Sequence, residues 1–172
     1  AQPLDAGHAV ERIEALGAHA VLVGNAGADL HFSAVRLGGG TARLAGRHVQ
    51  AGARQGETRT HGFYYRPTAA DAGLLGLPVL EPGAVRGGLF RGAAGSASVL
   101  FLREQALDFR LLGSLQSRGG VLDDGCKASC VDWYGNARPL FVGDRVFALL
   151  GYELVEGRLD GRGTAERIDE RR

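Results

Sequence analysis

The chain is poor in the residues that most often announce a chemistry. It has no methionine, one tryptophan (Trp133), one lysine (Lys127) and two cysteines (Cys126 and Cys130). Without a methionine, Ala1 is not a translation start and is expected to be a processed or fragment end. The opening "AQPLDAGHAV" has neither the basic stretch nor the apolar core of an export signal. Its polar character suits a mature secreted protein after signal removal. No apolar run approaches the roughly 18 residues of a membrane-spanning helix, so no membrane span is expected.

Two cysteines cannot close a zinc site, and no histidine lies near them. Their C-x3-C spacing is not the C-x-x-C of redox pairs, and Val131 stands where haem attachment needs a histidine. A small disulfide loop joining Cys126 and Cys130 is the first reading, and it implies an oxidising, extracytoplasmic compartment. The alternative is a pair of reduced, buried thiols. Catalytic signatures are missing too. His8, His19, His31, His48 and His61 form no H-E-x-x-H, there is no G-x-S-x-G elbow, and the glycine-rich "LGGGTAR" lacks the Gly-Lys-Ser/Thr of a phosphate loop. The formal charge is +1, too weak a field to favour nucleic acid as a partner. The near-exclusive use of arginine fits a GC-rich genome more simply than selection for bidentate anion contacts.

Glycine and short apolar runs are plentiful. The 28 glycines are spread throughout, and Gly, Asp or Asn repeatedly ends runs of about four to eight residues, the punctuation of strands and turns. "AVLVG" and "DLHFSAVRL" form an expected hairpin across "NAGAD". "SVLFL" and "LDFRLL" form a second across "REQA", and "RVFALL" and "YELVEGRL" a third at Gly151. The segment Ala9–Gly17 places Val10, Ile13 and Leu16 on one helical face, yet it matches the β-forming "RVFALLG", so a strand is expected. Indeed "RIEALGAHAVLVG" and "RVFALLGYELVEG" share Arg, Ala, Leu and Gly at matching places. The second hairpin is displaced from the first by about 78 residues, and "RVFALLGYELVEG" from "RIEALGAHAVLVG" by about 133, near multiples of the roughly 40–45 residues of a four-stranded propeller blade. The stretches "PTAADAGLLGLPVLEPGAVRGGLF" and "QSRGGVLDDGCKASCVDWYGNARP" then fall in long connecting loops, and "TAERIDERR" in a frayed polar tail.

Three binding sites come into consideration. Arg43–Arg66 gathers Arg54 and Arg59 beside Phe63, Tyr64 and Tyr65, a mixture suited to anionic polymers or sugars; the plainer reading is that one face is core. Trp133 and Tyr134 either lid the core or form an interaction contact. Asp123, Asp124 and Asp132 flank the cysteines and offer oxygen ligands for Ca²⁺, though not in EF-hand spacing; a solvated acidic loop is the plainer reading. No other cofactor is implied.

Together "RIEALGAHAVLVG", "DLHFSAVRL", "QGETRTHGFYYRP", "GLLGLPV", "CKASCVDWYGNARP" and "RVFALLGYELVEG" resemble bacterial secreted proteins with a C-terminal β-propeller distantly related to WD repeats. The likeness runs from about Arg12 to Leu159. It implies an all-β fold of propeller blades over residues 1–160, about four of them or a C-terminal arc of a larger ring, followed by the polar tail at 161–172. It implies no assigned chemistry, so no catalytic residue carries over. The order Asp132-Trp133 reverses the usual Trp-Asp dipeptide, and such proteins are longer than this chain. An arc exposes apolar blade faces, so another polypeptide or copies of the chain are expected to complete it. The expectation is a non-catalytic, extracytoplasmic interaction or structural subunit. The alternative is an extracellular enzyme with a metal or polar pocket on a propeller scaffold.

Overall fold

The structure, a computed structural model, describes residues 3–81, 96–116, 137–150, 153–160 and 167–171. These residues are all-β, with one 3₁₀ turn (Thr60–Gly62) and no α-helix among them. The strands are β1 (Ala9–Leu16), β2 (His19–Ala26), β3 (Asp29–Gly38), β4 (Thr41–Gln50), β5 (Arg54–Gln55), β6 (Tyr64–Ala69) and β7 (Ala72–Glu81). They continue with β8 (Ser96–Gln105), β9 (Asp108–Gln116), β10 (Arg138–Val142), β11 (Arg145–Leu150), β12 (Glu153–Asp160) and β13 (Arg167–Arg171). The opening segment is a strand, as its match to β11 suggested. Leu16 is buried while Val10 and Ile13 stand exposed on the opposite face, so the three do not form one buried stripe.

Three antiparallel sheets result. Sheet 1 runs β1-β2-β3-β4 and sheet 3 runs β10-β11-β12-β13. Sheet 2 runs β5-β7-β8-β9, with β6 also paired to β7. Gln55 sits opposite Val79 and Tyr64 opposite Gly76 on the same β7 strand. β5 and β6 are therefore two pieces of one edge strand, and all three sheets are four-strand meanders. Pro78 explains the break. The N–H and C=O of a residue in an antiparallel strand point to the same side, and the Pro78 carbonyl accepts from the Gly56 amide at 2.9 Å. The donor that proline lacks thus faces the edge where β5 ends.

Sheet 2 is the middle layer. One of its faces gives Leu75, Leu77, Val79, Leu100 and Leu102 to a core shared with Leu16, Val21, Val23, Leu30 and Phe32 of sheet 1. The other gives Leu74, Val99, Phe101, Leu112 and Leu115 to a core shared with Val146, Ala148, Leu150 and Val155 of sheet 3. A strand covered on both sides reads as an unbroken apolar run. β7 does so, and it therefore looks like a loop only if its proline and glycines are taken as punctuation. "GLLGLPV" is accordingly a central strand and not part of a connecting loop. Gly76 lets sheet 3 approach, because a Cβ there would lie 2.4 Å from the Pro139 Cβ.

Two further expectations change. "RVFALLGYELVEG" runs over β11 and β12, the second and third strands of its sheet, whereas "RIEALGAHAVLVG" runs over β1 and β2, the first and second. The shared phrase marks a hairpin and not an equivalent station in each module. Arg167–Arg171, expected as a frayed tail, pairs with β12 in a register that sets Glu156 opposite Arg171, Arg158 opposite Asp169 and Asp160 opposite Arg167.

The β8–β9 turn meets the expected "REQA" only at its last residue: it lies at Ala106 and Leu107, with φ of 54° and 74°. No glycine marks it. The buried Glu104 carboxylate holds it instead, accepting the Leu107 amide at 2.7 Å and the Tyr65 hydroxyl at 2.8 Å. Ala106 is exposed, so Ala106→Gly should relieve left-handed strain without loss of packing. It is expected to stabilise the fold by about 0.5 kcal/mol, read as a raised urea midpoint. A lowered midpoint would contradict this account of the turn.

Candidate functional site

The gap between β5 and β6 is filled by the arginine-rich stretch singled out from the sequence. It folds under β1, where Arg12 points inward and is buried. Arg12 Nε donates to Gln55 Oε1 at 3.0 Å and Nη1 to Glu14 Oε1 at 2.7 Å. Nη2 donates to the carbonyls of Glu57 at 3.1 Å and Arg59 at 2.8 Å. The guanidinium fork fixes four acceptors at once, which an ammonium cannot do. It thereby ties the inserted loop of sheet 2 to the first strand of sheet 1.

Glu57 organises the rest of the loop. Its buried carboxylate receives the Arg59 amide at 2.8 Å and the Arg59 guanidinium at 3.1 and 3.0 Å, and His61 Nε2 lies 3.4 Å away. Burial by itself raises the carboxyl, but the hydrogen bonds from Arg59 and the charges of Arg59 and His61 outweigh it and hold Glu57 below the ordinary value. Gly62 is needed beside it, since a Cβ there would meet the Glu57 Cγ at 2.7 Å.

Of the residues expected to bind a ligand, Arg59 is thus engaged with Glu57. Arg54 is an exposed residue of β5 opposite Leu80. Tyr64 is half exposed and leans on Phe141 of sheet 3, with ring centroids 5.6 Å apart. Arg66 lies over the same Phe141 ring at 5.1 Å and donates to the Gly143 carbonyl. The stretch therefore clasps sheet 2 to both neighbours. Cys126, Cys130, Asp123, Asp124, Asp132, Trp133 and Tyr134 lie outside the described residues.

A second polar cluster, missed from the sequence, lines a small cleft of about 170 Å³ where the β1–β2, β6–β7 and β8–β9 turns converge. His19, Arg36, Tyr65, Asp71 and Glu104 border it. Burial, and then the bond to Glu104, push the Tyr65 hydroxyl well above its ordinary value, so it remains a donor. Glu104 spends its two oxygens on Tyr65 and on the Leu107 amide, as a bolt for the turn. The signal available in the sequence was a glutamate inside an apolar strand. No cluster of three or more His, Cys, Asp or Glu fit to hold a metal occurs among the described residues.

Compared with protein-family models, curated proteins and solved structures, the chain matches none.

Arg12→Ala is expected to destabilise the fold by about 3 kcal/mol, because buried acceptors lose their donor, and Arg12→Lys should recover little of it. Urea unfolding measures both; a loss well under about 1 kcal/mol for Arg12→Ala would show that the tether is dispensable. A carboxyl held below its ordinary value adds stability that is full above pH 4.5 and drains away as pH falls through the folded value. Glu57→Gln should therefore weaken the fold at neutral pH and flatten its acid limb. An acid limb identical to the parent's would contradict the assignment.

Proposed function

We propose that the chain is a non-catalytic, propeller-type interaction and structural subunit, working outside the cytoplasm, whose sheets are completed by another chain. The observation that carries this reading is where apolar surface remains exposed. In a stack of sheets each inner face is covered by a neighbour, and the two outermost faces are not. On the outer face of sheet 1 stand Val10, Ile13, Leu37, Leu44 and Val49, between 37% and 67% exposed. On that of sheet 3 stand Val142 and Leu154, each 58% exposed, beside the half-buried Leu140, Phe147 and Leu149. Scattered apolar residues on a surface need no explanation, but clusters on unpaired sheet faces mark interaction surfaces.

The partner we commit to is a second copy. One chain carries both faces, so the sheet 3 face of one copy can cover the sheet 1 face of the next. Such a head-to-tail contact closes into a ring when the rotation allows. Two copies with three sheets each fall within the roughly four to eight blades of closed propellers. The extracytoplasmic setting rests on the C-x3-C spacing and on the resemblance to secreted propellers. The Glu104 cleft does not favour an enzyme, since its carboxylate is used to hold a turn.

Mass measurement by light scattering at micromolar concentration tests the reading. The expected result is a species heavier than the 18.1 kDa chain, reduced to the single chain by Leu154→Asp on the sheet 3 face. A folded, single-chain parent across that range would overturn it.

A further inference from the structure

The outer face of sheet 1 is not bare. Before β1 begins, the chain crosses it, and Ala6 packs on Leu22 and Val35 in a small separate core. Polar contacts hold this strap at two points. Arg47 Nη2 of β4 donates to the Ala6 carbonyl at 2.8 Å. His8 Nε2 lies 3.1 Å from the Ser33 hydroxyl of β3, and the His8 ring stacks on that of His31 with centroids 5.3 Å apart. His8 Nδ1 is 3.2 Å from the Ala9 carbonyl, which can only accept. The neutral ring therefore carries its proton on Nδ1 and takes the Ser33 hydroxyl proton on Nε2.

We propose that the segment Leu4–His8 is an acid-released strap that covers the middle of the docking face and is held there by the His8–His31 stack. This rests on the reading of that face given above. The charged groups around the stack decide its response. Arg47 contributes a fixed positive charge from β4. Asp29 of β3 opposes it, but its Oδ1 is occupied by the Gly52 amide at 2.8 Å. Asp5 of the strap has its Oδ1 on the Gly7 amide at 2.8 Å. His31 Nδ1 is buried without a hydrogen-bond partner among the described residues, so a proton added there finds no acceptor.

Desolvation, then His8 and Arg47, lower the His31 pKa, with Asp29 acting the other way. A histidine held below its ordinary 6.5 favours the closed arrangement fully above that pH and loses it as pH falls through the lowered value. Acid then places a positive charge on His31, against the His8 ring and beside the Arg47 guanidinium. The strap lifts, and Leu22 and Val35 join the exposed apolar face.

Methyl NMR on the folded Leu154→Asp chain, in which the sheet 3 face is disabled, isolates the strap from assembly. Cross-peaks between the Ala6 methyl and those of Leu22 and Val35 are expected at pH 7.5 and should be lost by pH 5, while cross-peaks within the Val21–Phe32 core persist. His31→Gln, which removes the titrating ring, should keep the strap cross-peaks at pH 5, and His8→Gln, which removes the ring stacked on it, serves as the second variant. Strap cross-peaks that persist at pH 5 in the parent, or vanish equally in both variants, would overturn the proposal. Light scattering of the chain without Leu154→Asp tests the docking face separately. A single-chain mass at both pH values, with the strap still releasing, removes the docking reading and leaves the strap.

Discussion

Everything in this molecule depends on sheet 2 being covered on both faces. Its strands β7 and β8 bury consecutive residues toward opposite neighbours, and each fully buried Leu, Val or Phe contributes about 1.5–3 kcal/mol. A four-strand meander has two faces and cannot cover both by itself. Once sheet 2 is sandwiched, sheets 1 and 3 each have one face packed on it and one that no other sheet covers among the described residues. The covered centre and the open ends are one physical fact seen from two sides.

The polar contacts at the layer boundaries fix how the layers meet. Dispersion and apolar burial are not directional, so they do not decide where one sheet sits on another. Arg12 does so on one side of sheet 2, because its fork accepts only one arrangement of Gln55, Glu14 and two carbonyls. Tyr64, Arg66 and Phe141 do so on the other. In both sets the partners on sheet 2 come from the edge strand that Pro78 interrupts. The break in regular structure thus supplies the loop that positions the neighbours, and the arginine-rich stretch has a structural use before any ligand is considered.

Much of the strand content was legible. Runs such as "AVLVG" and "SVLFL" are apolar without alternation, and they became strands buried on both faces or next to a second layer. "DLHFSAVRL" alternates with a period of two, and Leu30, Phe32 and Ala34 lie buried in the core. The β8–β9 turn was misplaced because its left-handed residues are Ala106 and Leu107, and no turn signal exists for them; a carboxylate two strand positions away imposes the bend. β7 was missed because Gly76 and Pro78 look like punctuation, whereas one admits Pro139 and the other sits beside a broken edge. The candidate site was legible only as composition. Arg59 and Tyr64 were found, but the residue that organises their surroundings, Arg12, lies a whole sheet earlier in the chain.

The sequence by itself determined that this chain is built of strands, because side-chain alternation, short apolar runs and glycine-rich turns are local properties that need no partner to be expressed. It also determined that no familiar catalytic or metal-binding motif is present. Only the tertiary structure decided which strands share a sheet, which face of each sheet is covered, and that Arg12 reaches Glu57 or His8 reaches His31. Those outcomes join residues distant in sequence, and they are selected by packing and by the desolvation of polar groups, which no local pattern encodes.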